Sequence, residues 1–203
     1  MFVVDPHRSK AVVADFLGDW RPDFWLSDRL GSQRGWAKRG HQVCLAHLIR
    51  DVQYAQDAGD TVFAPGMKGL LTRACAIGRR RNRLADSTLK VYEANLEKRL
   101  DRLLALHPAA PAGQKMSQVV KRFRQHLFVF MGNRDIEPTN NGSERALRPC
   151  AVYRKITNGF RSEWGAKLYA DIRSVVETAR RRGLRAIDAI RLTLAGNPTL
   201  AAA

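Results

Sequence analysis

Apolar residues recur at helical spacing along most of this chain, and three short runs break that rhythm. Phe2 to Val4, Phe24 to Leu26 and Gln42 to Leu45 are compact apolar stretches bounded by polar residues or turn formers, so each predicts a buried strand. Asp5-Pro6 stops the first. Between the first and second, Ser9 is placed to cap a helix, Val12, Val13, Phe16 and Leu17 give it one apolar face, and Gly18 closes it. The order strand, helix, strand, linker, strand predicts a small α/β sheet with some parallel pairing. Ligands in such sheets gather beyond the carboxyl ends of the strands. Ser27-Asp28 ends the second run and falls at such an end.

From Ala46 onward the pattern is almost all helical. Residues 46–58 form one candidate helix, closed by Gly59. Met67, Leu70, Leu71, Ala74 and Ile77 mark a second. Leu89, Tyr92, Leu96, Leu100 and Leu103 step by three and four, which suits antiparallel packing. Residues 108–113 predict a turn region. Met116, Val119, Val120, Phe123, Leu127 and Phe130 predict one further amphipathic helix. A short helix after Asn141 is expected to stop at Pro149. Residues 164–182 and a last segment carrying Ile187, Ile190 and Leu194 predict two more helices. The tail 197–203 has no amphipathic pattern and is expected to fray. There is no internal repeat and no low-complexity tract. Three regions follow: 1–64 with the strands, a helical insertion over 65–131, and 132–203 with a short motif helix and the last helices.

Composition changes the picture through charge. The 203 residues include 35 Lys and Arg against 19 Asp and Glu, a net charge of +16, with a pI near 10.7. Such a surface attracts polyanions, above all nucleic acid, and binding of that kind weakens steeply with salt. Cys44, Cys75 and Cys150 are too few and too scattered for a disulfide framework, which suits a reducing cytosol. No apolar run reaches the roughly 20 residues of a membrane span, and the N-terminus lacks the pattern of a signal peptide.

The candidate chemistry lies in two places. Thr139 to Pro149 reads TNNGSERALRP and puts Glu144 at the start of a helix among arginines. Asp28 ends a strand. Carboxylates in such positions suit hard divalent ions in phosphoryl transfer. Both have plainer readings: Asp28 as a loop or capping residue, and Asn141 with Glu144 as a capping box. Arg145 and Arg148 share a helix face and, with Arg154, Lys155 and Arg161, can hold phosphates or form a solvated basic face. Asn158-Gly159 is a turn signal that can present Arg154 and Arg161 on one surface. Arg79, Arg80, Arg81 and Arg83 fit either DNA contacts or a helix end, and Arg180 to Arg182 fit a helix C-terminus. His41, Cys44 and His47 form an H-x2-C-x2-H trio with no neighbour to complete a zinc pattern, so Cys44 reads better as a core residue.

Four segments together resemble the catalytic domain of bacterial insertion-sequence transposases of the IS66 type, within the DDE class. They are Trp25-Leu26-Ser27-Asp28-Arg29, His41 to His47, Asn140 to Pro149, and Arg154-Lys155 followed by Asn158-Gly159-Phe160. The resemblance implies an RNase H-like fold in which three acids bind two Mg²⁺ or Mn²⁺ ions, with Asp28 as the second acid and Glu144 as the third. It also implies the transposon ends and target DNA as partners, a cytoplasmic, nucleoid-associated location, and a homo-oligomer or an intact transposase as a further partner. The departure is at the start. The family's first aspartate lies on an earlier strand that nothing here matches, and Asp5 ends a different strand. The expectation is therefore a truncated RNase H-like α/β fold, a short mixed sheet without its first strands, carrying a large all-α insertion and C-terminal helices. Alone, such a chain would be catalytically incomplete. The alternative is a non-catalytic DNA-binding protein that modulates an intact transposase. A poorly folding relic is the third possibility.

Overall fold

The computed structural model describes residues 1–197. Two short strands, β1 (Phe24–Ser27) and β2 (Gly40–Val43), pair in parallel with Phe24 opposite Gly40 and Ser27 opposite Val43. The helices are α1 (Lys10–Leu17), α2 (Leu45–Asp57), α3 (Ala64–Arg80), α4 (Asp86–Leu104), α5 (Pro111–Phe123), α6 (Val129–Gly132), α7 (Asn141–Thr157), α8 (Glu163–Arg181) and α9 (Ala186–Leu194). The chain divides into two compact units, one of residues 19–141 and one of residues 1–18 with 142–203.

The 19–141 unit holds the main core. α2 buries Leu45, Leu48, Val52 and Ala55, and α3 buries Met67, Leu70, Leu71, Ala74 and Ile77. These steps of three and four put each set on one helix face. Leu89, Leu96 and Leu100 of α4, with Met116, Val120 and Phe123 of α5, close the same cluster. Asp60 is 1% exposed, yet its carboxylate is satisfied by the amides of Val62, Phe63 and Ala64 at 2.8–3.3 Å. It thereby neutralises the positive end of α3.

In the other unit, α8 packs on α9. Ala170, Ala179 and Ala189 are buried there, as are Val13 and Leu17 of α1. The Phe2 amide donates to Ser174 Oγ (2.7 Å), and the Arg173 guanidinium lies 5.6 Å from the centre of the Phe2 ring.

Several sequence expectations are corrected. Phe2 to Val4 forms no strand; its first amide is taken by a serine hydroxyl instead of a ladder partner. The sheet is parallel, not mixed. The apolar run at Gln42 to Leu45 divides, with β2 ending at Val43 and α2 beginning at Leu45. Pro111 starts α5 from within the expected turn, as proline does at a first helical position.

The helix expected over Met116 to Phe130 is broken, and Gln42 supplies the reason. This side chain is fully buried; its Nε2 donates to the Leu127 carbonyl (2.9 Å) and its Oε1 accepts the Phe130 amide (3.1 Å). Those backbone groups are the ones a continuous helix would use internally. Pro149 does not stop α7, which continues to Thr157. A proline inside a helix removes one backbone bond and crowds the preceding turn, and here the helix tolerates both. The tail expected to fray lies outside the described residues beyond Asn197.

Gly113, in the first turn of α5, tests the packing. A Cβ there would sit 2.4–2.7 Å from the carboxylate of Asp60, which three amides hold in place. In most helices Gly→Ala stabilises by up to about 1 kcal/mol. Here Gly113→Ala should destabilise by about 1–3 kcal/mol through overpacking and loss of the Asp60 bonds. Urea midpoints of the two proteins, compared at constant m, measure the sign.

Candidate functional site

Asp28 follows the last residue of β1 and is half-buried. Its Oδ1 accepts the Leu30 amide (3.0 Å), a local turn that fixes the carboxylate's direction. Beneath it, the Ser27 hydroxyl donates to the Asp28 carbonyl (2.7 Å) and lies 2.9 Å from His41 Nε2. Ser27 has one proton to give. The imidazole must therefore supply the other, so His41 carries its hydrogen on Nε2. His126 Nδ1 donates to the His41 carbonyl (3.1 Å), with the two ring centres 5.5 Å apart. The Arg29 guanidinium, next to Asp28, pairs with Asp51 on α2.

Burial pushes the His41 imidazole down to about 4, assisted by His126 and Arg34 and opposed by Asp28. His126 is lowered in the same direction, again mainly by burial. Both rings are thus neutral at pH 7, which agrees with the hydrogen-bond directions. The cluster adds no positive charge of its own to the Asp28 surroundings.

The segment 133–140 is docked onto this corner of the sheet. The Cys44 amide donates to the Ser27 carbonyl (2.8 Å) and the Leu45 amide to the Pro138 carbonyl (2.9 Å). The Asn140 amide points to Cys44 Sγ at 3.4 Å. Arg81 is 4% exposed and grips the same segment, donating to the Arg134 carbonyl at 2.7 and 2.9 Å and to Glu137 at 3.0 Å. Arg134 returns bonds to the carbonyls of Arg81 and Leu84. Gly78 makes room for Pro138, whose ring would lie 2.8 Å from any added Cβ.

Glu144 lies in the first turn of α7, and Asn141 is the first residue of that helix instead of its cap. Arg145 and Arg148 follow on α7, Arg154 and Lys155 are in its last turn, and Arg161 sits just before Ser162, the N-cap of α8. Glu144 and all five cations are exposed. Asp28 belongs to the 19–141 unit, whereas Glu144 and these cations belong to the other.

The charge runs separate by role. Arg81 is internal to the fold, while Arg79, Arg80 and Arg83 are exposed. Arg180 and Arg181 occupy the last turn of α8, as a helix C-terminus favours. The histidine-cysteine trio does not act as one set: the His41 ring is committed to Ser27, and Cys44 is a buried residue that receives the Asn140 amide. The serine-histidine relay and the roles of Gln42 and Arg81 escape sequence reasoning. A glutamine inside an apolar run at Gln42 was the one available signal.

Because His41 is harder to protonate folded than unfolded, the unfolded chain binds more protons between the two values. Stability should therefore fall as pH drops from about 6.5 to about 4, by about 3 kcal/mol when the site is fully titrated. His41→Gln keeps a donor for Ser27 but cannot titrate, so its urea midpoint should change much less over that pH range. Parallel curves for the two proteins would contradict this account of His41.

The family model described as Transposase IS66 family matches residues 1–168. No curated protein and no solved structure matches the chain. No helix among the described residues is long and apolar enough to cross a membrane. With most of its length covered by that match, the chain belongs to the IS66 family of transposases.

Proposed function

We propose that this chain supplies the second and third acids, Asp28 and Glu144, of a DDE active site that cuts and joins transposon-end DNA. In this reading the sheet and its flanking helices are part of an RNase H-like core, 65–131 is an inserted helical region, and 132–203 returns the glutamate to the core. Water adds to phosphorus at the transposon end and the bond to the 3′ oxygen breaks, leaving a 3′-hydroxyl. That hydroxyl then attacks a target phosphorus in line and displaces the target's own 3′ oxygen.

The observation that carries the reading is the docked segment before α7. Ser27 bonds Cys44, and Cys44 receives Asn140, so the chain leaves for α7 from beside the end of β1. Glu144 lies four positions beyond Asn140, in the first turn of α7. The donor set fits a hard divalent cation such as Mg²⁺ or Mn²⁺. Both groups offer carboxylate oxygens, and the Leu30 amide orients Asp28. Bound there, paired ions would offset charge on the reacting phosphate and favour in-line displacement. Arg145 and Arg148 would hold phosphates next to Glu144, with Arg154, Lys155 and Arg161 continuing that contact along the duplex.

If the two acids share an ion, their effects on it are coupled. Asp28→Asn and Glu144→Gln should each remove most of the rise in Tm that Mg²⁺ confers, and the double variant should lose no more than either single change. Independent, additive losses would sink the shared site. The polypeptide of these 203 residues alone offers two acids where the reaction uses three, so it should nick a transposon-end duplex weakly or not at all.

Duplex binding should fall with salt. Arg145→Ala or Arg148→Ala should each lower the slope of log affinity against log salt by about one while weakening all sequences alike. Anisotropy titrations across a salt series measure that slope. A slope unchanged in both variants would remove these arginines from the DNA contact.

A further inference from the structure

The link between α7 and α8 carries an aromatic cluster that the cleavage chemistry does not use. Asn158 (φ 57°) and Gly159 (φ 110°) reverse the chain in left-handed conformations. The Thr157 hydroxyl lies 2.9 Å from the Tyr153 carbonyl and 3.0 Å from that of Gly159. The reversal folds Phe160 back onto Tyr153, with ring centres 5.2 Å apart and planes 28° from parallel. Tyr169 of α8 completes the set, 5.0 Å from Tyr153 and 5.3 Å from Phe160. Tyr153 is 39% exposed, and Trp164, in the first turn of α8, is 72% exposed.

Trp164, Leu168 and Ile172 step by four along α8 and are all exposed, which leaves an apolar face open to a partner. The charge around it names the partner. Between Tyr153 and Leu168 stand Arg154, Lys155, Arg161 and Lys167 against the one carboxylate of Glu163; Lys167 also has Asp171 at 3.9 Å. Aromatic faces interleaved with cations suit a polyanion whose π-faces are accessible, meaning bases that are not stacked inside a duplex. A fully paired helix would offer the cations its phosphates but leave the indole without a partner.

From this we infer that the α7–α8 link is a stacking platform for unpaired DNA, with Trp164 as its most exposed ring and the Tyr153–Phe160–Tyr169 set as a second group of rings. It deepens the DNA-handling role above and rests on that role. The platform takes single-stranded or splayed nucleotides, as arise where a strand has been cut and its end frays.

The test compares an oligo(dT) of about 12 nucleotides with a duplex of equal length at one salt concentration. The expected result is oligo(dT) binding with quenched tryptophan emission. Trp164→Ala should weaken it roughly tenfold while leaving duplex affinity within about twofold, and Trp164→Phe should recover most of the loss. Unchanged circular dichroism confirms the fold of each variant. Equal loss on both DNA forms, or no loss on oligo(dT), overturns the platform. So does a gel-filtration shift to a smaller species in Trp164→Ala, which would make the face a contact between copies of this chain. Duplex binding without oligo(dT) binding defeats the platform alone. Binding to neither form defeats the DNA-handling role as well.

Discussion

Everything proposed for this chain depends on how residues 133–140 are fastened to the corner between β2 and α2. A strand end and a distant helix can contribute to one reaction only if the chain between them returns to the starting point. Here the chain is brought back as far as Asn140 by one backbone bond from the Leu45 amide to the Pro138 carbonyl and by the Asn140 amide on the Cys44 sulfur. Charged hydrogen bonds from Arg81 to the Arg134 carbonyl and to Glu137 reinforce it. A buried guanidinium is expensive unless its donors are satisfied. Arg81 meets that condition through carbonyl and carboxylate partners, so the charged group becomes a specific lock. The helices over 64–132 form a core large enough to hold the lock rigid.

The immediate surroundings of Asp28 have a different character. Buried Ser27 and His41, with half-buried His126, form an uncharged relay whose proton positions follow from mutual bonding. Such a relay orients a strand end without competing for cations. Beyond Asn140 the balance reverses. No residue of α7 is fully buried, and its exposed side chains include Arg145, Arg148, Arg154 and Lys155 against the single carboxylate of Glu144. A helix with so little packed surface gains little stability from burial. It also tolerates Pro149, whose missing amide would be far more damaging in a helix whose position relied on dense packing.

How much of this was legible in the sequence differs from element to element. Regular apolar steps of three and four made α2, α3 and α4 readable, because burial on one face leaves a periodic trace; α8 and α9 form where expected, but Ile172, Ile187 and Leu194 of their apolar steps are exposed. Ser9 and Gly18 bounded α1 as their backbone preferences require. Phe2 to Val4 misled, since a short apolar run carries no information about a ladder partner. The helix over Met116 to Phe130 also misled: its break is imposed by one buried amide, that of Gln42, from a strand more than eighty residues earlier. Long-range polar contacts of this kind have no local period. For the same reason Asp28 and Glu144 could be picked out as residue types in suggestive positions, but the lock that brings the chain back towards Asp28 could not. The aromatic cluster beside Asn158-Gly159 was half visible: the turn was evident, the stacking partners were not.

The most direct test of the account is an anomalous-scattering map from crystals of this chain soaked in Mn²⁺. The account predicts a peak with carboxylate oxygens from both Asp28 and Glu144 in its coordination shell. Ions on only one of the two acids, with the carboxylates more than about 10 Å apart where paired ions need about 4 Å, would contradict it.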